Sequence, residues 1–131
     1  MTAQPIGVAI AGLGFGAKVH LPALQAHPDL EAVAFWHPRR ERLDQACSDH
    51  GLRGYTAWDE LLEDPTVEAI IIATPPAPRF DLARRALEAG KHLLLEKPIA
   101  LHADQARELQ RLAITKGRSV AVDYELSLIH I

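Results

Sequence analysis

The chain has 131 residues, 48% hydrophobic and 24% charged, the balance of one globular domain and too little chain for two full ones. A net charge of −3 excludes a general polyanion binder, so nucleic acid is not an expected partner and any nucleotide must be held by a local site. The single Cys47 excludes an intrachain disulfide, and no Cys/His group has zinc spacing, so no metal is expected. No window approaches the ~18 consecutive apolar residues of a membrane span. The N-terminus lacks a basic n-region and its apolar stretch is broken by glycines, so a cytoplasmic protein without membrane partners is expected.

Strand-like and helix-like segments alternate along the chain. Ile6 to Ala11 is a short apolar run ending in glycines, as a buried parallel strand would be. A helix follows to about Ala26, kinked or restarted at Pro22. Leu30 to Trp36 reads as a second strand. Arg39 to His50 reads as a helix with Leu43, Ala46 and Cys47 on one face and Gly51 at its end. Gly51 to Tyr55 is turn-rich, and Trp58 to Glu63 has room for one or two helical turns. Val67 to Ala73 is the most apolar run and suits a central strand covered on both faces. Phe80, Ala83, Ala86 and Leu87 recur at helical spacing ahead of Gly90. His92 to Leu95 is a further strand. Ala103 to Lys116 is a helix with Ala106, Leu109 and Ala113 inward, and Ser119 to Tyr124 is a last strand. The alternation predicts an α/β fold: a doubly wound parallel sheet between two helix layers, with its ligand at the C-terminal ends of the strands.

Gly12-Leu13-Gly14-Phe15-Gly16-Ala17 satisfies G-x-G-x-x-G/A directly after the first strand. Gly12 permits a tight turn, Gly14 lets backbone approach a pyrophosphate, and Ala17 is small enough for close helix–strand packing. The phosphates would meet free N–H groups at the helix start. A bare glycine turn that binds nothing is the alternative. Placement between strand and helix favours a dinucleotide site, with Phe15 and Gly16 part of it.

NAD sites place an acid about 20 residues further on to bond the ribose 2′-hydroxyl. Here the second strand ends Phe35-Trp36-His37-Pro38-Arg39-Arg40, without Asp or Glu. Glu31 is too early and Asp44 lies inside the next helix. Arg39, Arg40 and Arg42 crowd that helix's first turn, where cations oppose the macrodipole and call for an anion. A 2′-phosphate would supply one, so NADP is expected over NAD. Trp36 and His37 would lie beside the adenosine. The competing interpretation has solvated arginines, with Arg40 paired to Asp44 at i, i+4.

Thr74-Pro75-Pro76 follows the most apolar strand where a cofactor would lie, and by local chemistry alone is equally a rigid turn. Glu96-Lys97-Pro98 ends the fifth strand. Pro98 restricts Lys97 to extended geometry and aims its ammonium at the crevice, where it could polarise a reacting hydroxyl or carbonyl. A lysine at a strand end is more often plain surface charge. His27, His50, His92, His102 and His130 share no metal spacing and read as structural or surface residues.

Together GLGFGAKVHLPAL at 12–24, IIATPPAPRF at 71–80 and AGKHLLLEKPIAL at 89–101 resemble the glucose–fructose oxidoreductase, inositol dehydrogenase and rhizopine-catabolism (Gfo/Idh/MocA) family, over roughly residues 5 to 125. The resemblance implies an NAD(P)-dependent oxidoreductase acting on sugars, cyclitols or related polyols. It implies that Gly12 to Gly16 hold the pyrophosphate and that Thr74 and Pro75 line the cofactor cleft. It further implies that Glu96, Lys97 and Pro98 lie at the nicotinamide, that Lys97 is catalytic, and that the peptide before Pro98 is cis. Arg79 departs from the histidine often found there, and His102 from the usual Ser or Thr cap. The family's second, mostly β domain has no counterpart in these residues. With it would go the substrate pocket, a histidine acid/base partner and the assembly contacts of an oligomer. Residues 1–125 are thus expected to be a dinucleotide-binding domain. Residues 126–131 would be an irregular tail from a truncated frame or a junction, and the isolated chain is expected to be inactive. The rivals are a non-catalytic nucleotide-binding module or redox sensor, and an S-adenosylmethionine methyltransferase. The methyltransferase leaves Glu96-Lys97-Pro98 unexplained.

Overall fold

A computed structural model describes residues 4–123. In chain order it contains β1 (Ile6–Ala11), a π-helical turn (Gly16–His20), α1 (Leu21–Ala26), β2 (Leu30–Trp36), α2 (Arg40–His50), β3 (Arg53–Tyr55), α3 (Trp58–Glu63), β4 (Ala69–Ile72), α4 (Pro76–Glu88), β5 (His92–Glu96), α5 (Ala103–Lys116) and β6 (Val120–Asp123). The strands form one parallel sheet in the order β3-β2-β1-β4-β5-β6. The chain therefore starts at the centre, builds to one edge, crosses back beside β1 and builds to the other. This is the doubly wound Rossmann arrangement, and the switch point between β1 and β4 opens a crevice at their C-terminal ends.

The two faces of the sheet follow from the period-two alternation of strand side chains. Val8 and Ile10 of β1, with Phe35 and Ile71, bury Leu21 and Leu24 of α1 and Leu43 of α2. Ala9 and Ala11, with Ala34, Ile70, Ile72, Leu93 and Leu95, face the other way against α3, α4 and α5. Alanines at the centre of this second face let the helices approach closely, and Trp58, Leu82, Leu87 and Leu109 fill the space.

Element boundaries differ from the sequence expectation where local chemistry is ambiguous. The turn-rich Gly51–Tyr55 segment contains strand β3. It is an edge strand of three residues, too short for a period, and pressed so closely on α2 that a Cβ at Gly54 would lie 2.6 Å from Cys47 Sγ. The central strand is shorter than Val67–Ala73, and Val67 is buried in the loop before it. Pro22 stands at the start of α1, directly after one π-helical turn that runs into it without a break, so the helical hydrogen-bond pattern changes where the proline lacks its N–H. The Pro75-Pro76 pair begins α4, with Pro76 as its first residue. On α5, Leu109 and Ala113 are buried as expected. Leu112 joins them, while Ala106 is only half-buried. Tyr124 and residues 126–131 lie outside the described residues. Among the described residues no helix is long and apolar enough to cross a membrane.

The N-terminal edge of the sheet is held by buried polar groups. The Lys91 ammonium donates to the carbonyls of Val67 (2.6 Å) and Asp64 (3.2 Å). The Asp64 carboxylate accepts from Tyr55 Oη (2.7 Å), Thr66 Oγ1 (2.7 Å) and Thr66 N (2.9 Å). Burial alone would raise the Asp64 carboxyl. These hydrogen bonds and the Arg53 guanidinium outweigh it and hold the group below its ordinary value.

Candidate functional site

At the C-terminal ends of β1, β2 and β4 lies a cleft of ≈ 840 Å³. It is lined by Gly12–Phe15, Trp36–Arg39, Arg42, Ala73–Pro75 and Pro78. Eight sequence candidates meet there: Gly12, Gly14, Phe15, Trp36, His37, Arg39, Thr74 and Pro75. Gly16, Ala17, Arg40, Glu96, Lys97 and Pro98 are not among the lining residues.

The three glycines are required for three different reasons. Gly12 has φ +106°, and a Cβ there would lie 2.7 Å from the Ala73 carbonyl, so the turn passes directly against the end of β4. A Cβ at Gly14 would meet nothing within 4 Å, so the backbone presents a bare face to the cleft. A Cβ at Gly16 would come within 2.6 Å of Ile10 Cγ2, so close helix–strand packing belongs to Gly16. Ala17, the packing residue expected from the sequence, is half-buried against the same cluster, with Gly16 in the tighter position. Of the amides that open the helical segment at Gly16, that of Lys18 is already given to the Gly14 carbonyl (3.2 Å), while those before it have no partner further back in the segment. A dinucleotide pyrophosphate fits this cradle of free amides beside an open glycine.

At the end of β2 the cleft wall carries two guanidiniums, Arg39 and Arg42, and no carboxylate. Arg40 turns away, 3.3 Å from Thr56 Oγ1 and 3.7 Å from Asp44, which is the i, i+4 pair that competed with a phosphate role. The expectation that Arg40 binds cofactor is not met by this orientation. His37 Nδ1 accepts the Arg39 amide (3.0 Å) ahead of α2. Burial, with the neighbouring Arg42 guanidinium, holds the imidazole below its ordinary value. The ring is thus neutral at pH 7, and with Nδ1 accepting, its proton resides on Nε2. Trp36 is buried edge-to-face against Trp58 at 5.1 Å, with its indole N–H donated to the Thr56 carbonyl.

The β5 end is built differently from the sequence picture. The Glu96 carboxylate is engaged by His20 Nε2 at 2.8 Å, with Asp123 at 3.9 Å from the same nitrogen. It therefore ties the π-helical turn to β5. His20, Glu96 and Asp123 place three ligand-type atoms within 4.8 Å of one another, a juxtaposition of positions 20, 96 and 123 that no spacing rule reveals. Lys97 is exposed at the strand end, and the Lys97-Pro98 peptide is cis. Beneath it, Arg79 is buried and donates to the carbonyls of Thr74, Glu96 and Pro98. Motif reasoning passed over His20 and noted Arg79 only as a departure from the histidine often found there. Their signal was a polar residue on the inward face of a helix: Arg79 lies three and four residues before Leu82 and Ala83.

The family model described as "Oxidoreductase family, NAD-binding Rossmann fold" (Gfo/Idh/MocA) matches residues 6–124. An uncharacterized oxidoreductase of Synechocystis sp. is 38% identical over 131 residues, 98% of this chain and 35% of that protein. The dTDP-3,4-didehydro-2,6-dideoxy-α-D-glucose 3-reductase of Streptomyces violaceoruber is 32% identical over 124 residues, 94% of this chain and 36% of that one. Among solved structures, biliverdin reductase of Synechocystis sp. with biliverdin and NADP⁺ superposes with a TM-score of 0.89 at 30% identity, covering 95% of this chain and 40% of that one. GenD2 from gentamicin A biosynthesis, in complex with NAD, superposes at 0.86 and 32%, covering 92% and 34%. The chain thus spans about a third of the length of the curated relatives it matches. With the sheet order, the glycine turn and the family match in agreement, this chain belongs to the Gfo/Idh/MocA family of oxidoreductases and carries its NAD(P)-binding Rossmann domain.

Proposed function

We propose that the chain is the cofactor-binding part of an oxidoreductase moving hydride between a nicotinamide and a CH–OH carbon of a sugar, cyclitol or related polyol, with NADP(H) preferred over NAD(H). The observation that carries the reading is the bare face of Gly14 on a cleft whose β2 wall holds Arg39 and Arg42 and no carboxylate. A ribose 2′-hydroxyl finds no acid to bond there, whereas a 2′-phosphate finds two guanidiniums and a neutral imidazole able to donate. Gly12, Gly14, Phe15 and the first helical turn would hold the pyrophosphate, and Thr74 and Pro75 the opposite side. A bound nicotinamide supplies the hydride acceptor or donor.

Lys97 is exposed directly after β5, and in this reading it engages the reacting oxygen. In reduction its ammonium donates a proton to the carbonyl oxygen as hydride reaches the carbon. In oxidation the neutral amine accepts the hydroxyl proton as hydride leaves. The deoxysugar reductase among the relatives supports a sugar-like substrate.

Titration of the chain with NADPH and NADH, followed by tryptophan emission, tests the cofactor assignment. Tighter NADPH binding is expected, and tighter NADH binding would sink it. In a full-length protein carrying this domain, Lys97→Ala should abolish turnover while leaving cofactor affinity within a few-fold.

A further inference from the structure

Arg79 stands on the inward face of α4 with 3% of its surface exposed, a position where a leucine would pack without cost. A buried cation is costly unless its donors are satisfied by fixed acceptors. Here backbone carbonyls satisfy Nη1 and Nη2, while Nε is buried without a partner among the described residues. Nη1 donates to the Glu96 carbonyl (2.5 Å) and to that of Pro98, while Nη2 donates to that of Thr74. The Glu96 and Pro98 carbonyls lie on either side of Lys97, and Thr74 lines the cofactor cleft. Among the described residues β6 pairs with β5 as far as Glu96, and Arg79 takes up the backbone carbonyls at and beyond that point. One rigid fork of donors therefore spans both sides of Lys97 and the end of β4, which a lysine or an apolar residue does not reproduce.

We propose that Arg79 is a positioning residue that fixes the Lys97 segment of the β5 end against Thr74 at the cofactor cleft. The proposal rests on the reading of Lys97 as the catalytic residue beside a bound nicotinamide. The His20–Glu96 hydrogen bond braces the same segment from the glycine-rich side, and Arg79 ties it to Thr74 beyond the end of the β4–β5 ladder. The Thr74 carbonyl that Arg79 grips sits two residues from Pro76, where α4 begins, so the clamp closes a loop within α4's own approach.

The test compares the unsubstituted chain with Arg79→Lys, which keeps the charge and loses the fork, and Arg79→Met as a second variant. Amide hydrogen exchange by mass spectrometry, acetylation of Lys97 by an N-hydroxysuccinimide ester with and without NADPH, and nicotinamide emission of bound NADPH are read together. In the unsubstituted chain bound NADPH should protect Lys97. In Arg79→Lys, exchange across residues 96–101 should rise about tenfold or more, as expected for losing charge-assisted hydrogen bonds to a strand end, while β1 and α2 exchange as before. NADPH affinity should stay within about threefold because the glycine cradle is untouched. Protection of Lys97 should be lost and the nicotinamide emission altered. Arg79→Met should show the same local rise in exchange and the same loss of protection. Unchanged exchange at 96–101, or an equal rise across the whole domain, overturns the clamp while leaving the cofactor assignment standing. Absence of Lys97 protection in the unsubstituted chain overturns the placement of Lys97 itself, and the purpose of the clamp with it.

Discussion

Alanine substitutions at Gly12, Gly14 and Gly16 should separate cofactor binding from folding, because the three glycines face different neighbours. At Gly14 an added Cβ has nothing within 4 Å. Gly14→Ala should therefore leave stability unchanged or raise it by about 0.4–1 kcal/mol through a stiffer unfolded chain. The same methyl would stand between backbone and pyrophosphate. Loss of one or two hydrogen bonds to a charged group, about 1.5–3 kcal/mol each, weakens dinucleotide binding by at least about tenfold. At Gly12 the outcome reverses. A side chain at φ +106° costs about 1–3 kcal/mol, and contact 2.7 Å from the Ala73 carbonyl adds about 1–3 kcal/mol more. Set against the roughly 5–15 kcal/mol that holds a domain together, Gly12→Ala should lower the thermal midpoint by about 10 °C or more. Gly16→Ala is intermediate: its methyl meets a side-chain atom rather than backbone, Ile10 Cγ2 at 2.6 Å, and the overpacking costs about 1–3 kcal/mol. Calorimetry and NADPH titration of the three variants decide the matter. A Gly14→Ala chain that melts well below the unsubstituted one, or that binds NADPH unchanged, refutes the reasoning.

The arginines give a second contrast. Arg39→Ala and Arg42→Ala should each weaken NADPH binding by about tenfold while sparing NADH, since only the 2′-phosphate would use them. Arg40→Ala should alter neither, because that guanidinium is occupied by Thr56 and Asp44. Parallel titrations with both cofactors read all three. Asp64 makes a pH-dependent prediction. Its carboxyl lies below the ordinary value in the folded chain, so its stabilisation is full above about pH 4 and is lost as pH falls through the folded value. Asp64→Asn should cost about 1–3 kcal/mol at pH 7 by leaving Tyr55 and Thr66 mispaired, and the difference should shrink below about pH 4 in denaturant titrations. Trp36 lines the cleft and Trp58 does not, so Trp36→Phe should remove most of the tryptophan signal that follows dinucleotide addition without changing affinity more than a few-fold. An unaltered signal in that variant would place the dinucleotide elsewhere.

Most of the alternation of strands and helices is legible in the chain because buried parallel strands are short apolar runs and the helices close on Gly51 and Gly117, both at positive φ. β3 is not legible. Three residues around a glycine carry no periodicity, and only their parallel pairing with β2, close beneath α2, makes them a strand. Within each motif the position of a side chain depends on helix phase, which composition does not show. Ala17 looks small enough to be the packing residue, yet the helix phase puts Gly16 against Ile10. Arg40 has the composition of a phosphate ligand, yet the phase of α2 points it at Thr56 and Asp44.

From a chain of 131 residues with one cysteine and a net charge of −3, the order of apolar runs and the glycine-rich turn determine a doubly wound domain with a dinucleotide cradle at its first strand. Such features are local: a period, a φ above zero, a glycine between strand and helix. Tertiary structure alone decided which polar groups meet across long separations. His20 reaches Glu96 across 76 positions, and Arg79 gathers carbonyls from residues 74, 96 and 98. Those pairings depend on the strand order that sets β4 between β1 and β5. That order comes from burying all the apolar faces at once rather than from any one segment.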